Sequence, residues 1–237
     1  RLVEIITPSP ARVTPRCPHF ASPPTPSPLA TPLRASLKER GQGGEVGCGG
    51  CQWQHIAYDA QLKFKADIVR EQFARIGKMA DAPVRDTLGM PDPWRYRNNV
   101  QFQLDQDGHL CFQAFESHNL VRISECHIMQ PLLDEMFHAL EFEGGDFADG
   151  GLRGVTLRAG ITTRQKMLIL EGRDDAPPEI AVDEPVSIVY QTPGGETFSL
   201  VGKDALHEEL RGRTFRVSPP SFFQVNTAMA ETLIDLV

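Results

Sequence analysis

The stretch GCGGCQWQH, residues 47–55, decides how this chain is read. Two cysteines stand three positions apart with glycines between them, and a tryptophan and a histidine follow. That spacing lets both sulfurs reach one metal centre, while Gly49 and Gly50 permit a tight turn whose backbone N–H groups can point at sulfur. A pair of this kind suits zinc, an iron–sulfur cluster or a redox dithiol. The redox dithiol needs a helix opening at its first cysteine, and GCGGC is a poor helix start. Metal binding is the better reading.

A metal needs more ligands. Cys17 and Cys126 are candidates, each close to a histidine in Cys17-Pro18-His19 and Cys126-His127. Four thiolates suit zinc and a [4Fe–4S] cluster equally well by count, so composition does not choose between them. His55 follows Cys51 by four positions, which leaves a Cys₃His zinc site open, although a histidine there more often packs or hydrogen-bonds structurally. Cys111 falls inside a hairpin pattern and is most simply a buried strand residue. An odd count of five cysteines without a signal peptide does not suit a disulfide framework.

Hydrophobic content of 41% and charged content of 23% over 237 residues describe a soluble globular chain with one large domain or two small ones. No apolar run approaches the ~20 residues of a membrane span, so a cytoplasmic protein with no membrane partner is expected. The chain opens on Arg1 and stops at Val237 inside a helical pattern, which predicts a piece of a longer polypeptide. The net charge of −7 is unevenly spread: residues 1–78 hold 11 Lys/Arg against 6 Asp/Glu, and the remainder 13 against 25. A basic front on an acidic body fits local contact with a polyanion, and an ordinary solvated surface equally.

Val3 to Ile6 alternate enough to predict a strand. Residues 21–47, rich in Pro and Ser and then in Gly, predict a disordered insertion. From Asp59 to Lys78 the pattern is helical, with Asp59 as N-cap, Gly77 as stop and Leu62, Val69, Phe73 and Ile76 on one face. Residues 96–124 predict strands around an Asp107-Gly108 turn. A second helix fits PLLDEMFHALEF, and further strands fit GVTLRAG, KMLILEG, VSIVYQ and TFSLVG. A last helix begins near Asn226 or Thr227. The class is α+β, strand-rich, with two or three helices and no regular βα alternation.

The run CGGCQWQHIAYDAQLKFKADIVREQFARIG resembles the iron–sulfur segment of the bacterial RNA uracil-C5 methyltransferases, the AdoMet-dependent enzymes that make 5-methyluridine in ribosomal and transfer RNA. Four further stretches are similar to that family in order: SPARVTPRCPHF, WRYRNNVQF, NLVRISECHIM and SFFQVNTAMAETLIDLV. The resemblance implies [4Fe–4S] ligands at Cys17, Cys48, Cys51 and Cys126, and a contact to S-adenosyl-L-methionine at Gln224. It implies a cluster-bearing central α+β domain over 1–220, followed at 221–237 by the edge of a Rossmann-like methyltransferase domain. It further implies an RNA partner, 23S ribosomal RNA first and transfer RNA second, and a monomer.

One departure stands out: the family places only a few residues between its first cysteine and CGGC, whereas residues 18–47 intervene here. A loop of that kind closes at about 0.6 kcal/mol extra per doubling of length, so Cys17 can still reach the other ligands. The family's reaction needs an activated thiol, a placed carboxylate and a glycine-rich donor pocket. No residue of this chain matches those catalytic roles, and the fragment alone is expected to be inactive. The alternative is a non-catalytic RNA-binding module stapled by zinc or a cluster.

Overall fold

The computed structural model describes residues 7–20, 47–140, 151–177, 180 and 185–237. The strand expected at Val3–Ile6 and the insertion expected at 21–47, apart from Gly47, lie outside the described residues. The chain forms two units: Arg1–Pro93 with Gln113–Val121, and Trp94–Phe112 with Arg122–Val237.

The first unit is mostly irregular and is laced by isolated bridges rather than a sheet: Arg12 with Ile56, Phe20 with Cys48, and Cys48 with Ala114. Its one helix among the described residues, α1, spans Tyr58–Arg75. The N-cap is Ala57, not Asp59, which lies inside the first turn and accepts from the N–H of Ala60 at 2.8 Å. The Gln61 side chain ties this start down instead, donating to the carbonyls of Trp53 and Ile56. Beyond Arg75 the helix ends, and Ile76 and Gly77 both donate back to the Gln72 carbonyl. Of its residues only Ala66 is buried, whereas Val69, Phe73 and Ile76 are exposed. The apolar face legible in the sequence is thus largely open.

The second unit is organised by a sheet of order β3-β2-β1-β4-β5-β6-β7. Its strands are β1 Asn99–Leu104, β2 Leu110–Gln113, β3 Leu120–Arg122, β4 Leu152–Gly160, β5 Gln165–Gly172, β6 Ser187–Gln191 and β7 Thr197–Val201. The division between the units passes through the β2–β3 hairpin. The β1–β2 turn is the expected one, with Gly108 at φ 81°. The β5–β6 pair is parallel, while β1–β2, β1–β4, β4–β5 and β6–β7 are antiparallel.

Strands β4 and β5 are buried almost continuously, as strands covered on both faces must be. Helix α2, Pro131–Ala139, turns Leu132, Leu133, Met136 and Phe137 inward, with the Phe137 ring 5.4 Å from that of Phe102. A second, two-stranded sheet, β8 Leu206–Leu210 and β9 Arg213–Val217, joins the core through Leu206 and Val217, which pack with Met167, Ile169 and Val189. The sequence reading did not anticipate this hairpin. Its turn is Arg211-Gly212, with φ of 48° and 70°, a two-residue connection of the kind that favours positive φ at both positions. The chain ends in α3, Thr227–Asp235, whose N-cap Asn226 accepts from the N–H of Met229. Among the described residues no helix is long and apolar enough to cross a membrane.

Candidate cysteine site and the segment before the last helix

The CGGC loop is fixed by its backbone. The Cys48 N–H donates to the His19 carbonyl at 2.7 Å, Gly49 donates to Gln113 at 2.9 Å, and Phe115 donates to Gly47 at 3.3 Å. These bonds bring the turn around Cys17, the CGGC loop and the 113–115 strand end together within one unit. The Gln54 side chain accepts from the N–H of Cys17 at 3.1 Å, and the Gln52 side chain donates to the Gly49 carbonyl at 2.6 Å. Two glutamines of CGGCQWQH therefore brace the cysteines, a role the sequence reading missed.

The two glycines differ in purpose. A Cβ on Gly49 would stand 2.9 Å from the Gln113 oxygen and 3.0 Å from both the Ala114 carbonyl carbon and the Phe115 nitrogen. Gly49 is there because a strand backbone lies against it. A Cβ on Gly50 would meet only the Cys48 sulfur, at 3.4 Å. The Gly50 N–H donates to that same sulfur at 3.3 Å, the kind of bond that favours a thiolate.

His55 packs against the Phe20 ring at 5.7 Å and its Nδ1 is buried without a hydrogen-bond partner. Burial, and then the Arg12 charge, push its pKa below the ordinary 6.5. The neutral ring is a packing element beside the loop.

Cys126 belongs to the second unit, in the turn between β3 and α2, where its carbonyl accepts from Met129 at 3.1 Å. This turn is laced to the Trp94–Arg97 segment: Arg95 donates to His127, Arg97 donates to Ile128, and Gln130 donates to Arg97. The Trp94 ring stands edge-on to His127 at 6.3 Å. None of the five cysteines, all among the described residues, forms a disulfide. Cys17, Cys48, Cys51 and Cys126 are half-buried, whereas Cys111 is fully buried, and burial pushes its thiol up to about 11. A thiol so placed stays protonated near neutrality and has no access to a substrate.

Cys17, Cys48 and Cys51 lie half-buried in the first unit, where the Cys48 sulfur accepts a backbone N–H, and Cys126 lies half-buried in the second. A zinc tetrahedron and a cubane cluster both draw on such ligands. Among the described residues no three of the cysteine sulfurs lie within 4.8 Å of one another; the group of three or more His, Cys, Asp or Glu side chains whose ligand atoms come that close is Asp105, Asp107 and His109. There the Arg122 guanidinium already pairs with both carboxylates.

Gln224 lies in the second unit on an irregular segment just before α3. Its neighbours alternate: Phe222 is 83% exposed, Phe223 turns in toward Phe215 at 6.4 Å, and Gln224 points out again. An exposed amide that can both donate and accept suits the hydroxyl and amino groups of a nucleoside. The segment is held from below. Arg158, in β4, donates to the carbonyls of Ser218, Pro219 and Ser221 at 2.8, 3.1 and 2.6 Å. Asn98 Nδ2 donates to the Gln224 carbonyl at 2.9 Å and to Thr227 Oγ1 at 3.0 Å, and the Asn98 N–H donates to Val225. The Thr227 hydroxyl donates to Glu208, whose carboxylate also accepts from the N–H groups of Ile161 and Thr162. A charged residue inside the apolar run of β4 was the available signal for Arg158.

No protein-family model matches the chain. Over 218 residues it is 34% identical to an uncharacterized RNA methyltransferase of Listeria innocua, an alignment covering 78% of this chain and 48% of that protein. An uncharacterized RNA methyltransferase of Clostridium tetani aligns over 98% of this chain and 51% of its own length, at 29% identity. The chain thus spans about half the length of the curated relatives it matches. Among solved structures, the Pyrococcus abyssi tRNA (uracil-54, C5)-methyltransferase in complex with S-adenosyl-L-homocysteine matches with a TM-score of 0.60 and 20% identity. That match covers 79% of this chain and 50% of that one. The chain is therefore similar, over most of its length, to proteins named RNA methyltransferases, and it shares a fold with an enzyme that methylates uracil in tRNA.

Proposed function

We propose that this chain is the cluster-bearing part of an AdoMet-dependent RNA (uracil-5-)-methyltransferase, acting on a flipped-out uridine of 23S ribosomal RNA. Cys17, Cys48, Cys51 and Cys126 hold a [4Fe–4S] cluster, which when bound crosslinks the loops that carry them. Gln224 contacts the methyl donor, which brings an electrophilic methyl group. The observation that carries this reading is the convergence of the Cys17 turn and the CGGC loop through the Cys48–His19 and Gln54–Cys17 hydrogen bonds. Similarity to proteins named RNA methyltransferases supports the activity.

The roles of the chain's own residues follow from chemistry. The thiolates hold metal, Gly50 stabilises the Cys48 sulfur, and the Gln224 amide orients a nucleoside. Cys111 is not the nucleophile, because it is buried and its thiol is pushed up to about 11. The nucleophile and base of the reaction are supplied from outside this chain.

The first test is metal content with a visible spectrum on anaerobically purified protein. About four irons per chain with sulfide and a brown absorbance support the cluster. One zinc and no colour sink it and favour a zinc-stapled RNA-binding module. Transfer of a labelled methyl group to 23S ribosomal RNA rather than to tRNA, by the intact protein, tests the substrate.

A further inference from the structure

Asn98 and Arg158 are both nearly inaccessible, at 3% and 5% exposure, and the donor bonds described above go to a single segment, to its carbonyls and to the Thr227 hydroxyl. The Arg158 guanidinium spends its N–H groups on three carbonyls of Ser218–Ser221. Burying a cation on carbonyl dipoles alone is costly, and an apolar side chain would fill the same space at less cost. What the arginine adds is location: three of the four carbonyls of Ser218–Ser221, in an otherwise irregular segment, are pinned to β4. Asn98 does the same three residues further on, holding Gln224 by its carbonyl, Val225 by a backbone bond and Thr227 by its hydroxyl.

Between these two anchors exposure alternates, with Phe222 and Gln224 exposed and Phe223 turned in against the core. Fixing Ser221 and Gln224 therefore fixes which of Phe222, Phe223 and Gln224 face out. Slipping by one residue would bury Gln224 and expel Phe223. The third fixed point, Thr227 held by Asn98 and Glu208, sets the start of α3 in the same frame.

We propose that Asn98 and Arg158 are positioning residues that set the outward register of Gln224 for the methyl donor. This rests on Gln224 being the donor contact, as proposed above. Both residues act on the segment's carbonyls and touch neither donor nor RNA.

The experiment compares Asn98→Asp, Thr227→Val, Arg158→Met and Gln224→Ala in the intact protein. Asn98→Asp keeps the shape and removes both side-chain donors; Thr227→Val serves if that variant does not fold. Three quantities are measured: hydrogen exchange of peptides covering 218–230, affinity for S-adenosyl-L-homocysteine, and the KM for AdoMet against kcat. Faster exchange at 218–230 with β4 and β5 unchanged is expected for the anchor variants. Their S-adenosyl-L-homocysteine affinity should fall, and their KM for AdoMet rise, by about tenfold or more. Gln224→Ala should lose the same affinity with no change in exchange. Loss of affinity in Gln224→Ala but not in the anchor variants overturns the positioning role alone. Unchanged affinity in Gln224→Ala removes the donor-contact reading, and the positioning role with it.

Discussion

Gln54 Oε1 accepts the backbone N–H of Cys17 at 3.1 Å, joining residues 37 positions apart. The bond holds the first cysteine by its main chain. Gln54→Ala removes the acceptor and is expected to cost about 1 kcal/mol of stability. It should also lower the iron retained per chain after anaerobic purification. Gln54→Glu keeps an acceptor oxygen and should retain the iron. Equal iron in wild type and Gln54→Ala would show that Cys17 is held without it.

The two glycines of the CGGC loop should respond differently to an added methyl group. Gly49→Ala drives a Cβ into the Gln113–Phe115 backbone and should cost about 1–3 kcal/mol in urea denaturation. Gly50→Ala meets only the Cys48 sulfur at ordinary contact distance and should cost less than about 1 kcal/mol, mainly through the turn. A reversed order would mean that turn conformation, rather than the neighbouring strand, selects these glycines.

Glu208 is 1% exposed and accepts from Ile161, Thr162 and Thr227. Glu208→Ala leaves the buried Thr227 hydroxyl and the two loop N–H groups without their acceptor, and thermal denaturation should report a loss of about 1–3 kcal/mol. Glu208→Gln keeps one acceptor oxygen and should lose less. Equal losses would mean that the carboxylate acts through packing volume alone.

Cys111 gives the fold a dependence on alkaline pH. Burial, and then the Asp105 charge, raise its thiol from the ordinary 9.0 to about 11. Between those values the unfolded chain has released a proton that the folded chain still holds, so folding loses stability as pH rises. The loss begins near pH 9, is complete above about 11, and amounts to about 2–3 kcal/mol. Urea midpoints at pH 8 and pH 10.5 should differ in the wild type and differ less in Cys111→Ala, provided that variant folds. Iodoacetamide at pH 8 should spare Cys111 in the folded chain.

The parts that were legible in the sequence are those with a local pattern. Strands β1, β4, β5, β6 and β7 and helix α2 follow from alternation, apolar runs and 3.6-residue spacing, and Asn226 was the expected start of the last helix. The β8–β9 hairpin escaped because Glu208, a charged residue, occupies an inward position and breaks the apolar alternation of LHEEL. Helix α1 was legible as a helix, but its N-cap was not: Ala57 offers no side-chain acceptor, and the start is tied by Gln61 reaching backwards. In the candidate site, sulfur spacing was visible while the bracing was not. Gln54, Asn98 and Arg158 act on carbonyls and N–H groups far away in sequence, and such partners leave no periodic trace.

The parallel bridge between Phe20 and Cys48, reinforced by the Cys48 bond to the His19 carbonyl, means that residues 21–46 depart and return at one hydrogen-bonded point. Chain length between the first and second cysteines is thereby a free variable. What is added there need not move either cysteine, since the two ends are already joined by main-chain bonds. The same point is a port for engineering: a fluorescent reporter or an affinity module grafted between Phe20 and Gly47 would leave the spacing of Cys17, Cys48 and Cys51 as it stands. Lineages would be free to lengthen or shorten this stretch without moving the Cys17 turn or the CGGC loop.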